Sequence, residues 1–156
     1  MTSKILSISL VAFASFVLAT SISAANKPKA SVDKADKHLS LHHYAIAADM
    51  YETLCKRKDF SKLEKQSFAF SAGEAYRLNH DTKNALNMYS YAIKYGMKDS
   101  IAQYRKGEML MSQALYSEAL VLFKGYKLAY PTDPDVERKI VGCLLGLACN
   151  SDNQVR

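Results

Sequence analysis

The sequence predicts an all-α protein, a helical solenoid of three helix-turn-helix repeats closed by a C-terminal capping helix, and three observations carry that prediction. The chain repeats itself. Slid forward by 34 residues, the stretch 68–95 puts Gly73 on Gly107, Ala85 on Ala119 and Tyr89 on Phe123; slid back by 38, it puts Ala85 on Ala47 and Tyr89 on Tyr51. A period of this length marks stacked supersecondary units. Small residues recur with it. Gly73 and Gly107 fall in mid-helix, where glycine costs about 1 kcal/mol relative to alanine. Two of them one period apart imply a crossing with no room for a side chain. Ala85 and Ala119 are expected at that crossing on the facing helix, with Tyr89 and Phe123 one turn further on; a bulkier residue at Gly73 would overpack by roughly 1–3 kcal/mol. Finally, caps and stops fall where the repeat needs them: Asp81 or Thr82, Gly96, Asp99 or Ser100, Pro131, and Asp133 followed by Pro134.

Taken in order, residues 1–25 read as a secretory signal peptide: Lys4, an apolar run from Ile5 to Ala19, then Ser23, Ala24 and Ala25 before the expected cut. The run is short of the roughly 20 residues a membrane span needs. No cysteine follows it, so no lipoprotein attachment of the usual kind is expected. Residues 26–31 are a polar lead-in. The domain spans 32–149, with repeats at about 32–60, 61–98 and 99–132, a capping helix at 134–149 and a disordered tail at 150–156. Within it, helices are expected over 32–43, 44–58, from Ser61 or Leu63 to Leu78, from Asp81 or Thr82 to about Gly96, from Asp99 or Ser100, and over 116–130. The segment 59–65, DFSKLEK, accounts for the longer first interval. Gly142 lies 35 residues after Gly107, which makes the last helix the first half of a fourth repeat, covering the open end of the third.

Composition narrows function. Loss of Lys4 lowers the formal charge from +6 to +5, and the charges are interspersed, so the surface reads as soluble and mixed rather than nucleic-acid binding. There is no HExxH, GxSxG, phosphate-cradling loop or dinucleotide fingerprint. The expectation is no enzyme, no cofactor, no metal and no small-molecule substrate.

The repeat resembles the tetratricopeptide repeat (TPR), a 34-residue helix-turn-helix unit. The second repeat matches at Gly73, Tyr76, Ala85, Tyr89 and Ala92, the third at Gly107, Leu110, Ala119, Phe123 and Pro131. The first is worn, with Ala35, His38, Ala47, Tyr51 and Leu54. The resemblance implies that the first helix of each repeat lines a concave face. The residues it would place there are Asp36, Glu74 and Glu108, with Arg77, Arg105 and Lys139 beside them and Phe70, Tyr104 and Met111 on the same face. They are read in two ways. Glu74–Arg77 and Arg105–Glu108 are pairs at helical spacing, worth about 0.2–0.5 kcal/mol each. Alternatively the set is a charged groove with apolar anchors that orients a peptide or partner helix.

His38 and His42 are four apart, a spacing that can hold a metal, but no third ligand follows and His38 stands where the next repeat has Tyr76. Packing is the preferred reading. Cys55, Cys143 and Cys149 read as small buried or half-buried apolar residues. On a continuous helix Cys143 and Cys149 point about 120° apart and lie about 9 Å apart along the axis, so they bridge only if the helix ends early.

The ends of the array carry a narrower resemblance. Residues 35–52, ADKHLSLHHYAIAADMYE, and 130–143, YPTDPDVERKIVGC, look like the start and end of the TPR segment in Bacteroidetes envelope proteins of the PorE type. There the segment precedes a PD40-type β-propeller and an OmpA-like peptidoglycan-binding domain in type IX secretion and gliding assemblies. This implies an exported, periplasmic scaffold, peripheral to the outer membrane, that binds secretion components. The peptidoglycan contact is not carried over. A soluble periplasmic chaperone or adaptor for unfolded clients is the alternative. Pairing of two copies through the first helix or the last is left open.

Overall fold

The computed structural model describes residues 31–98 and 100–154. Among them are seven helices and no strand: α1 (Val32–Ser40), α2 (Tyr44–Lys56), α3 (Lys62–Leu78), α4 (Thr82–Lys94), α5 (Ser100–Ser112), α6 (Tyr116–Ala129) and α7 (Pro134–Gln154). The segment expected to be a signal peptide, the lead-in apart from Ser31, and the last two residues lie outside the described residues. Each helix packs on the next in sequence.

Local chemistry sets the boundaries. Ser31 caps α1 by accepting from the Lys34 N–H. Ser61 and Glu64 form a reciprocal capping box at the start of α3. Asp81 caps α4 by accepting from the Asn84 N–H at 3.1 Å. The three turns inside the repeats are copies of one another. His42, His80 and Ala114 all adopt left-handed backbone, with φ of 58°, 59° and 59°. Their spacing follows the repeat intervals, so the turn repeats with the helices.

That turn is why α1 ends at Ser40 rather than running to His43: the chain reverses at His42 as it does at His80. Helix α2 stops at Lys56 rather than Lys58, because Arg57 is extended, pairs with Asp59 and lies over the Phe60 ring at 4.9 Å. At the other end α7 continues to Gln154, through residues 150–154 of the tail expected to be disordered over 150–156. Residues 150–154 include no glycine or proline to stop it.

Two clusters make the core. One joins the first two repeats, from Ala35 to Ala92 with Met109; the other joins the third repeat to Val136 and Cys143 of α7. Leu86 of α4 packs against both. The repeat glycines do face a close contact, but its identity differs from the expectation. A Cβ at Gly73 would lie 2.7 Å from the Tyr89 ring, and one at Gly107 would lie 2.9 Å from the Phe123 ring. The aromatic ring, not the alanine, fills the gap. Ala85 and Ala119 are fully buried beside it.

Candidate functional site

The residues expected on the concave face lie on α1, α3, α5 and α7, the first helices of successive repeats. On α3, α5 and α7 they join into one chain of alternating charge. Arg77 donates to Glu74 Oε2 at 2.6 Å. Arg105 Nε lies 3.3 Å from Glu74 Oε1, an ion pair without hydrogen-bond alignment, and its Nη1 donates to Glu108 Oε2 at 2.8 Å. Lys139 Nζ stands 2.8 Å from Glu108 Oε1. The ladder Arg77–Glu74–Arg105–Glu108–Lys139 therefore ties three helices from different repeats together. The two short-range pairs seen in the sequence are its rungs. The contacts between helices, Glu74–Arg105 and Glu108–Lys139, have no spacing signature.

Burial and partners fix the charge states. Burial alone would raise the Glu108 carboxyl, but Lys139 and Arg105 outweigh it and hold it below the usual carboxylate range. Tyr89 donates to Glu74 Oε1 at 2.6 Å, and burial followed by that carboxylate pushes its hydroxyl well above the ordinary tyrosine value. Tyr51 donates to Asp36 in the same way, 15 residues apart as in Tyr89–Glu74. The repeat pattern marks these tyrosines only as packing residues; the sequence signal for their bonds is the repeated interval of 15. Tyr76 reaches back a repeat, donating to Glu52 at 2.5 Å and Asp49 at 3.1 Å.

Other expected groove residues separate. Asp36 is exposed and bonded to Tyr51, apart from the ladder. Phe70 is half-buried, 5.9 Å from the Tyr89 ring. Tyr104 is buried against Phe123 and Tyr126, with ring centroids at 5.4 and 4.8 Å, so most of its ring belongs to the core. The Met111 methyl sits where a Cβ on Gly142 would be, at 2.7 Å, and so fills space between α5 and α7 rather than standing free.

A polar cavity of about 440 Å³ opens at the end of the ladder. Tyr104, Arg105, Glu108 and Lys139 line it, joined by Asp133, expected only as a helix cap, and by Tyr126 and Arg138, for which the sequence gives no site signal. Tyr126 donates to Asp133 at 3.2 Å, fixing one wall. A larger hollow, about 540 Å³, lies by Lys124, Lys127, Leu128 and Pro131, but only lysines bring polar chemistry to it. The polar cavity, with converging groups of both signs, is the better candidate.

The histidines rearrange. His38 Nδ1 meets His43 Nδ1 at 3.3 Å, while His42 turns to the Tyr44 hydroxyl at 2.7 Å, so the spaced pair His38 and His42 does not converge. Among the described residues no three His, Cys, Asp or Glu side chains cluster as a metal site. Cys55 and Cys143 are buried, and burial raises both thiols; Cys149 is exposed, contrary to the expectation. Because α7 is continuous, Cys143 and Cys149 do not bridge.

No family model and no curated protein matches the sequence. Solved structures do. The first TPR of Spaghetti (RPAP3), bound to the HSP90 peptide SRMEEVD, superposes with a TM-score of 0.63 at 16% identity, over 74% of this chain and 89% of that one. The fold is the tetratricopeptide repeat. A second TPR domain, the C-terminal one of a Plasmodium falciparum FK506-binding protein, gives a TM-score of 0.63 at 15% identity, over 77% of this chain and 87% of that one. At these identities the TPR likeness concerns architecture alone.

Proposed function

We propose that this TPR domain is an exported, non-enzymatic scaffold that holds a peptide or helix of a partner protein in its concave groove, within a cell-envelope or type IX secretion-type assembly. The observation that carries the reading is the polar cavity at the end of the five-residue ladder. Its donors and acceptors are held by neighbouring helices before any partner arrives, which lowers the ordering cost of binding. The peptide in the RPAP3 structure, SRMEEVD, is net acidic, with three acidic residues against one arginine. The ladder here alternates in sign, so the partner expected is a segment of mixed charge. The signal peptide and the envelope-type ends of the array support the export and assembly parts of the proposal.

The test is a cross-linking pull-down from envelope extract with residues 26–156, beside the Lys139→Ala variant. Removal of Lys139 leaves Glu108 paired with Arg105, and circular dichroism checks that the fold is kept. One dominant partner, lost in the variant, supports a specific groove. A partner retained in the variant moves the site to another face. A broad set of weak clients favours the chaperone alternative.

A further inference from the structure

The turn inside each repeat holds two positions together, and in the first repeat both are histidines. The backbone bond that closes the turn runs from the His43 N–H to the His38 carbonyl at 2.9 Å. Its copies run from Asp81 to Tyr76 at 2.9 Å and from Leu115 to Leu110 at 3.0 Å. In the second repeat the two side chains have separate tasks. Tyr76 donates to Glu52 and Asp49 of the preceding repeat, and Asp81 caps α4. In the third both positions are leucines. The first repeat keeps neither polar task. Among the described residues no helix precedes α1 for His38 to reach, and the His43 side chain makes no capping bond to α2. The two rings face each other instead, with their Nδ1 atoms 3.3 Å apart and their centroids at 5.5 Å.

We infer that His38 and His43 form a binding site for a zinc ion. Two nitrogen ligands on a tetrahedral zinc, at the usual Zn–N bond length, lie about 3.3–3.4 Å apart. The Nδ1 atoms already stand at that separation, held by a turn that recurs in all three repeats. Neighbouring ligands in the square-planar geometry of Cu²⁺ lie closer, at about 2.8–3.0 Å, so the spacing favours zinc. To take the ion, the proton shared by the two Nδ1 atoms moves to Nε2 of the ring that carries it. Both Nδ1 lone pairs then face the metal. His43 is exposed and His38 half-buried, so the ion reaches them from solvent. No third His, Cys, Asp or Glu of the described residues joins the pair, and water completes the shell. His42 is turned to Tyr44 and takes no part. The ion ties the last turn of α1 to the start of α2. The site shares no residue with the ladder or the polar cavity, so it stands independently of the groove.

The experiment is calorimetric titration of zinc into tag-free, metal-free residues 26–156, which contain every described residue, with a non-thiol reductant present. The expected result is saturable uptake of one ion per chain at micromolar zinc. His38→Leu and His43→Leu install the residues that the third repeat carries at these positions, so both keep the helical circular dichroism signal, and each abolishes uptake. His42→Ala, which copies Ala114, and Cys149→Ser, which removes the exposed thiol, leave it unchanged. Nitrogen-15 spectra of the imidazoles should show zinc shifting Nδ1, not Nε2, of His38 and His43. Wild-type protein that takes up no zinc overturns the inference. So does uptake that survives both leucine variants, uptake lost with His42→Ala or Cys149→Ser, or a zinc shift confined to Nε2.

Discussion

The second and third repeats share one construction and differ by one oxygen atom. Both press an aromatic ring of the second helix onto a glycine of the first, and both place a glutamate just after that glycine. In the second repeat the ring is Tyr89, whose hydroxyl donates to Glu74. In the third it is Phe123, which has no donor. Glu108 instead takes Lys139 from the following helix, along with Arg105. Glu74 is thus tied to the core ring of its own repeat as well as to Arg105 of the next, whereas Glu108 is held only by cations, Arg105 beside it and Lys139 from the following repeat. The cavity opens beside Glu108. The same ring position packs on glycine in both repeats and carries a hydroxyl bond to the glutamate in only one.

The largest expected effects separate glycines by the space behind them. Gly73→Ala should destabilise by about 1–3 kcal/mol despite the better helix propensity, because the new Cβ meets a ring that cannot retreat. Gly107→Ala should cost less, since its nearest ring atom is 2.9 Å away rather than 2.7 Å and Phe123 is not pinned by a hydroxyl bond. Gly125→Ala should stabilise by up to about 1 kcal/mol, because its Cβ would find nothing nearer than 3.9 Å. Urea unfolding of the three variants reads the order directly. Equal losses at Gly73 and Gly125 would remove the ring contact from the account.

Next comes the oxygen itself. Tyr89→Phe removes a donor from a charged acceptor and should cost about 1–2 kcal/mol, at the lower end for such bonds because Glu74 keeps two arginines. Phe123→Tyr should change stability by less than about 1 kcal/mol, since Glu108 already has its partners. Comparable losses in both would show that the hydroxyl does not distinguish the repeats.

The smallest effect is in pH dependence. Glu108 is held below its ordinary value in the folded state. Its contribution is therefore complete above the unfolded carboxylate pKa of about 4.3 and is lost as pH falls through the lowered folded value. Glu108→Gln should be less stable than wild type at neutral pH, with the gap closing in acid. Thermal unfolding of both proteins from neutral pH downward measures it.

Much of this was legible in the sequence because it is local or periodic. The interval of 34, the Asp81 cap and the mid-helix glycines each state a backbone requirement within a few residues. What was not legible depends on where side chains from separate helices end. Nothing in the spacing of Glu74 and Arg105, or of Glu108 and Lys139, marks them as partners. Nor does composition distinguish Tyr104, drawn into the core by Phe123 and Tyr126, from an aromatic standing in the groove. The interval of 15 joining Tyr51 to Asp36 and Tyr89 to Glu74 was present but was hidden by reading both rings as packing. The end of α7 was misjudged because Asn150 and its neighbours resemble a tail when no stop residue is required to extend a helix.

The account rests on the concave face as the binding surface, and hydrogen–deuterium exchange of residues 26–156 with and without the captured partner tests this most directly. Protection concentrated on α3, α5 and α7 around Glu74, Arg105, Glu108 and Lys139 is the predicted result. Protection confined to α2, α4 and α6, with those three helices unchanged, would contradict it.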